Sequence, residues 1–226
     1  IGVDVELEGG QRLAGSHLLV AAGRAPALNG LNLGAAGVAH TPKGVTTDRR
    51  LRSSNRRVYA IGDVAGRGAF THQAGAHASL FVRHALFAQP INADALVIPR
   101  VTYAEPELAA VGLTEAEARK ADPSVRVLKA PFAENDRARA EGATEGFGKL
   151  LLSRRGKVLG VTLVGEGAGE HILPWALVMS GALKPSALAG AVAPYPTRSE
   201  IGKRLAGMIY ADTLFAPRTR RLVALL

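Results

Sequence analysis

The chain has 226 residues, 47% of them hydrophobic, with 28 basic and 19 acidic side chains and no cysteine. That apolar content excludes a disordered chain, and the lack of cysteine excludes disulfides, thiolate metal ligands and a cysteine nucleophile. The formal charge of +9 comes mainly from scattered arginines with no interleaved aromatics, so nucleic acid is not an expected partner. A transmembrane helix is not expected either, because no apolar run reaches about 18 residues.

In chain order, Val3, Val5 and Leu7 alternate as in a strand, from Ile1 onward, and Gly9-Gly10 offers a turn. Leu18–Gly23 is a short apolar run ending in glycine, which reads as a buried strand, closed by Arg24-Ala-Pro26. Positions 27–46 read as loop. Val58–Ile61 reads as a second buried strand, ending at Gly62-Asp63. Thr71 to Phe87 has the pattern of a helix, stopped by Gln89-Pro90. From Val97 the texture changes to strands around Val101–Tyr103, Leu108–Val111, Val125–Leu128, Leu150–Leu152 and Val158–Val164. Thr114–Glu117 and Thr197–Glu200 have capping-box spacing, the first opening a helix through Lys120 and the second a helix through Ala211. Gly169–Ser180 is a further predicted helix, with Trp175, Leu173, Leu177 and Val178 read as its core face. A domain boundary is expected near residue 97.

The Gly62-Asp63 turn stands where an apolar strand feeds a helix, the usual position of a ligand site at a strand's carboxyl end. Glycine lets a ligand approach the backbone, and an ionised Asp63 only accepts hydrogen bonds, which suits ribose or polyol hydroxyls. The helix start at Phe70-Thr71-His72 presents backbone N–H groups that favour negative charge. A plain turn is the competing reading of the dipeptide alone.

Four blocks occur in fixed order: LLVAAGRAP, VTTDRRLRSSNRRVYAIGDVAG, IPRVTYAEPELAAVGLTEAEA and GKLLLSRRGKVLGVTLVGEGAGE, the last followed by PYPTRSE. Together they resemble the C-terminal half of the flavoprotein (pyridine nucleotide) disulfide reductase family, which includes dihydrolipoamide dehydrogenase, glutathione reductase and mercuric reductase. The resemblance implies an α/β fold: residues 1–27 as the end of an NAD(P)-binding domain, 28–96 as the second FAD-binding segment, and 97–226 as an α+β dimerisation domain with a mainly antiparallel sheet. It implies FAD and NAD(P)H as cofactors and a head-to-tail homodimer through residues 97–226. It places Gly23 near the dinucleotide, Gly62 and Asp63 at the flavin's ribityl chain, and Phe70, Thr71 and His72 against the flavin ring.

Two departures qualify that implication. The family's earlier half carries two GxGxxG turns and a redox cysteine pair, none of which occurs here. The chain is therefore expected to be the later part of a longer polypeptide, and to be inactive alone. Where lipoamide dehydrogenase and glutathione reductase have a His-Pro acid/base, this chain has Tyr195-Pro196, with Glu200 matching the partner glutamate. An ordinary tyrosine titrates near ~10 against ~6.5 for histidine, so Tyr195 is a hydrogen-bond donor rather than a base near neutrality. Tyr195 and Glu200 are the candidate catalytic residues, although Glu200 could serve only the capping box.

Other features read as structural. Gly165–Gly169 lacks phosphate-loop spacing and carries Glu166. His72, His77 and His84 share one predicted helix without metal-ligand spacing, so no metal is expected and His77 and His84 read as ordinary histidines. The basic, apolar segment from Leu214 to Leu226 reads as a tail packed on the dimer partner rather than on a membrane. The expected function is the C-terminal portion of an FAD-dependent NAD(P)H oxidoreductase, hydride passing from nicotinamide to flavin to a disulfide or related acceptor. The alternatives are a non-catalytic dimerisation scaffold derived from such an enzyme and a basic protein that binds surfaces through its C-terminal tail.

Overall fold

The computed structural model describes residues 2–225; Ile1 of the opening strand and Leu226 of the apolar end lie outside the described residues. The chain splits into two compact units, Ile1–Ile91 and Asn92–Leu226.

In the first unit, β1 (Val3–Glu6) and β2 (Arg12–Gly15) form an antiparallel hairpin with Val3 opposite Gly15. Its turn runs through Gly9 and Gly10, both at positive φ. The run Leu18–Gly23 is not the buried strand its composition suggests. No described strand pairs with it, and Leu19 is 87% exposed. An apolar run becomes a central strand only when neighbours cover it on both faces, and these residues have none.

The core of this unit is small: Val38, Val45, Ala60 and Ala65, with Leu28, Leu33, Val58 and Val64 against them. Val45 lies on β4 (Gly44–Val45), which pairs with β3 (His40–Thr41). Polar side chains hold the surrounding loops. Ser54 Oγ donates to Gly37 O and accepts from Ala39 N–H, each at 2.8 Å, and Asn55 Nδ2 donates to Ala36 O at 2.8 Å. The SSN stretch thus satisfies backbone groups that a sheet would otherwise pair. Val58–Ile61 is extended as expected, but it is joined to Arg52 by a single bridge at Tyr59 rather than forming a strand. A 3-10 turn, Gly62–Ala65, follows, and then α1 (Thr71–Phe87), with the predicted limits.

The second unit is built on one antiparallel sheet of five strands. These are β5 (Arg100–Thr102), β6 (Glu107–Gly112), β7 (Arg126–Pro131), β8 (Phe147–Leu152) and β9 (Val158–Gly165), in the order β5-β6-β9-β8-β7. Leu150 and Leu152 face the main core, while Leu151 faces a second cluster with Ala118 and Val125. The period of two explains why three consecutive leucines are all buried: both faces are covered there. Ala118 comes from α2 (Glu115–Ala121), whose capping box forms as expected between Thr114 and Glu117.

Further helices are α3 (Asp136–Ala140), α4 (Ala168–His171), α5 (Leu173–Met179), α6 (Pro185–Gly190), α7 (Glu200–Met208), α8 (Ala211–Leu214) and α9 (Pro217–Val223). Ile201 and Leu205 bring α7 into the main core beside Trp175, which is fully buried. Gly148 makes that approach possible, since a Cβ there would lie 2.6 Å from Leu205 Cδ1.

Three local expectations are corrected. The helix predicted over Gly169–Ser180 is two short ones, α4 and α5. Leu173 and Leu177 are 61% and 43% exposed rather than core; four residues apart, they share the helix face opposite Trp175. The second capping box is half formed. Glu200 Oε2 accepts from Thr197 N–H at 3.3 Å, but Thr197 Oγ1 is turned to Pro194 O and Ser199 Oγ, each at 2.8 Å, and α7 starts without a side-chain cap and ends at Met208.

Candidate functional site

The structure gathers the predicted residues into two groups, one in each unit. In the first unit, extended Ile61 leads into Gly62 at φ +70, and the 3-10 turn closes with Gly66 N–H donating to Asp63 O at 3.0 Å. A Cβ on Gly62 would lie 3.1 Å from Ala74 Cβ on α1, so both conformation and space favour glycine. The Asp63 carboxylate is exposed and takes no hydrogen bond from the described residues.

The turn is tied to α1 by a bond the sequence did not announce. Gly62 N–H donates to His77 Nδ1 at 3.2 Å, and His77 is 1% exposed. Burial, aided by the Arg67 cation, holds this imidazole below the ordinary histidine range. Its neutral ring therefore keeps a lone pair for the amide. Arg67 itself donates to Thr47 Oγ1, Thr47 O and Asp48 O at 2.9 to 3.1 Å, fixing the loop after the turn.

The start of α1 has the character that a negatively charged ligand edge needs. The first intrahelical bond is Ala74 N–H to Phe70 O at 3.0 Å, so the amides of Thr71, His72 and Gln73 precede the ladder. Neither a capping side chain nor an acidic residue occupies this first turn. The Phe70 ring stacks on His72 with centroids 5.3 Å apart. Gly23 takes φ +114 on an exposed loop, and the next residue, Arg24, donates to Ala69 O at 3.0 Å just ahead of the helix.

These features fit a flavin dinucleotide. An exposed carboxylate stands beside a glycine, and the helix that the turn leads into starts with its dipole uncapped.

In the second unit, Tyr195 is 71% exposed and precedes Pro196 through a cis peptide bond. Its hydroxyl donates to Asp136 Oδ2 at 3.0 Å. This bond, reinforced by the carboxylate's charge, raises the tyrosine above its ordinary pKa, making it a poorer base still. Asn135 explains how α3 and the Tyr195 loop come together. Its Oδ1 caps α3 by accepting from Ala138 N–H at 3.0 Å, and its Nδ2 donates to Thr197 O at 3.0 Å. Asp136 and Glu200 line one cavity of about 380 Å³ with Lys203 and Arg204, and Arg204 pairs with Glu134.

Sequence reasoning missed His77, Asp136 and Asn135. Asn135, just before α3, carries a readable N-cap signal. Nothing local marked a contact between residues 136 and 195. The glycine-rich segment after β9 is structural as expected: Gly169 N–H donates to Glu107 Oε2 at 2.9 Å, so a protein carboxylate takes the amide a phosphate would need.

Comparisons with known proteins identify the family. Residues 98–206 match the dimerisation domain of pyridine nucleotide-disulphide oxidoreductases, and residues 2–78 match a second pyridine nucleotide-disulphide oxidoreductase profile. The chain is 40% identical over 205 residues to the dihydrolipoyl dehydrogenase of Chlorobaculum tepidum, covering 88% of this chain and 44% of that protein. It is 34% identical over 207 residues to the mercuric reductase of Streptomyces lividans, covering 91% and 44%. Among solved structures, the HOCl-induced flavoprotein disulfide reductase RclA of Escherichia coli superposes with a TM-score of 0.79 at 29% identity, over 91% of this chain and 48% of that one. LpdA of Mycobacterium tuberculosis does so with a TM-score of 0.81 at 28% identity, over 91% and 45%. The chain thus spans less than half the length of the relatives it matches. It belongs to the pyridine nucleotide-disulphide oxidoreductase family.

Proposed function

We propose that this chain carries the ribityl-side flavin contacts and the dimerisation surface of an FAD-dependent NAD(P)H oxidoreductase acting on a disulfide or related acceptor. The observation that supports this most is the Gly62-Asp63 turn held against α1, whose start has no acid and no side-chain cap. Bound FAD would supply the hydride and electron chemistry. In this reading residues 1–27 border NAD(P)H through Gly23, residues 28–96 hold FAD, and residues 97–226 pair two copies.

Each residue has a role set by its own chemistry. Asp63 accepts hydrogen bonds from sugar-alcohol hydroxyls, and Gly62 leaves room for them. Phe70, Thr71 and His72 would border the ring, the Thr71 amide at the start of α1 being the donor that would serve negative charge there. Tyr195 donates a hydrogen bond on the substrate side, oriented by Asp136, and Glu200 steadies the loop through Thr197 N–H. With no cysteine in its 226 residues, the chain passes no electrons through a thiol pair of its own and is inactive alone. The thiols and glycine-rich turns come from outside these residues. A cytoplasmic setting fits this thiol chemistry; among the described residues no helix is long and apolar enough to cross a membrane.

The test is expression with the natural upstream coding sequence. A yellow product whose flavin content drops on Asp63→Ala supports the reading. A colourless product, or flavin content indifferent to Asp63→Ala, overturns it. For the homodimer, sedimentation of that product should give twice its own chain mass, and Phe215→Glu, at a 67% exposed position, should shift it toward monomer. A wild-type monomer would remove the pairing.

A further inference from the structure

Among the described residues, His77 is the ionisable side chain that is almost wholly buried, and flavin contact does not account for it. We propose that His77 is the positioning residue of the Gly62-Asp63 turn: its Nδ1 lone pair fixes the Gly62 N–H and thereby aims the Asp63 carboxylate. The use made of that carboxylate rests on the flavin reading above; the positioning itself does not.

The geometry is specific. Gly62 N–H lies at the junction between extended Ile61 and the 3-10 turn, where no backbone carbonyl serves it. Buried without an acceptor, it would carry the full desolvation cost of an unpaired amide. The acceptor comes from 15 residues further on, at 3.2 Å, from the second turn of α1. Because a backbone amide can only donate, Nδ1 must hold its lone pair and the ring proton must sit on Nε2. Ala74, three residues earlier on the same helix face, packs on Gly62 from the same side. One face of α1 therefore sets both the position and the direction of the turn, while the start of that helix forms the other half of the candidate flavin contact. A rigid supporting residue of this kind is what keeps a binding carboxylate at its productive angle.

The experiment uses the ¹⁵N-labelled 226-residue chain with two substitutions. His77→Leu fills the volume but offers no acceptor. His77→Asn places Oδ1 at the same bond distance from Cβ as Nδ1. The amide resonances of Gly62 and Asp63 are recorded, the helical signal of α1 serves as a folding control, and FAD is titrated into the same variants of the product expressed with its natural upstream coding sequence, stripped of bound flavin. The wild type should show an Nε2–H tautomer. His77→Leu should move both amide resonances and weaken FAD about tenfold, the worth of one net hydrogen bond, and His77→Asn should restore both. Unchanged Gly62 and Asp63 resonances in a folded His77→Leu protein would overturn the proposal, as would a His77→Asn protein that behaves like the leucine variant. If the wild-type product carrying its upstream sequence fails to take up FAD, the flavin reading falls while the amide comparison still judges His77.

Discussion

The Tyr195 hydroxyl donates to Asp136 Oδ2 across 59 positions of sequence, at 3.0 Å. Because the carboxylate stabilises the protonated phenol, Asp136→Asn should bring Tyr195 down toward its ordinary pKa. A ¹³C-tyrosine NMR titration resolves this against the other three tyrosines of the chain. A Tyr195 resonance that titrates at the same pH in both proteins would show that the bond is not formed in solution. On the proposed reading, Tyr195→Phe in the product with its upstream sequence should cut turnover while leaving flavin content unchanged.

Much of the second unit is legible because its strands are apolar runs that neighbours do cover and its first helix carries a complete cap. Leu150–Leu152, buried on both faces, reads correctly for that reason, as does Val158–Val164. Leu18–Gly23 failed for the opposite reason. Its composition is that of a central strand, but centrality is a property of neighbours, and no described strand lies beside it. The candidate site was half legible. Gly62, Asp63 and the start of α1 are marked by glycine and helix periodicity, whereas His77 and Asp136 act through contacts 15 and 59 residues away. Thr197 shows how a correct spacing can be diverted, since its hydroxyl found Pro194 O and Ser199 Oγ before the helix amide.

The close approach of two backbones beneath the turn gives a second prediction. Gly44 takes φ +141, and a Cβ there would lie 2.5 Å from Gly66 N, the residue that closes the Gly62–Ala65 turn. Gly44→Ala should destabilise the first unit by about 1–3 kcal/mol. Hydrogen exchange at Val45 and Ala65 would report it. Gly34→Ala, where a Cβ meets nothing within 4 Å, is the matched control and should stay within about 0.5 kcal/mol of wild type.

Packing of α7 on the sheet gives a third. Leu205 is fully buried in the main core, while Leu177 on α5 is 43% exposed. Leu205→Ala should cost about 2–5 kcal/mol through lost burial and the cavity left behind. Leu177→Ala should cost well under about 1 kcal/mol. Urea midpoints of the two variants test this directly, and equal losses would contradict the assignment of α5 faces.

Acid sensitivity follows from two histidines. Burial holds both His77 and His171 below the ordinary histidine range, with the Arg67 cation adding to the effect on His77 and the Arg198 cation on His171. In the unfolded chain both titrate near ~6.5. Between their folded pKa values and that value, the unfolded state binds more protons, so stability rises with pH there and is fully present above ~6.5. It is lost as pH falls below ~6.5, by about 1.4 kcal/mol per pH unit for each histidine that stays neutral in the fold. Urea midpoints compared at about pH 7.5 and about pH 5.5 should therefore drop on acidification, by more than the carboxylates alone produce. His77→Asn removes one titrating group while keeping an acceptor for Gly62 N–H, so its midpoint should depend less on pH than that of the wild type. An unchanged pH dependence in that variant would mean that His77 titrates alike in the folded and unfolded chain, so that its ring is not held neutral in the fold as the bond from Gly62 N–H requires.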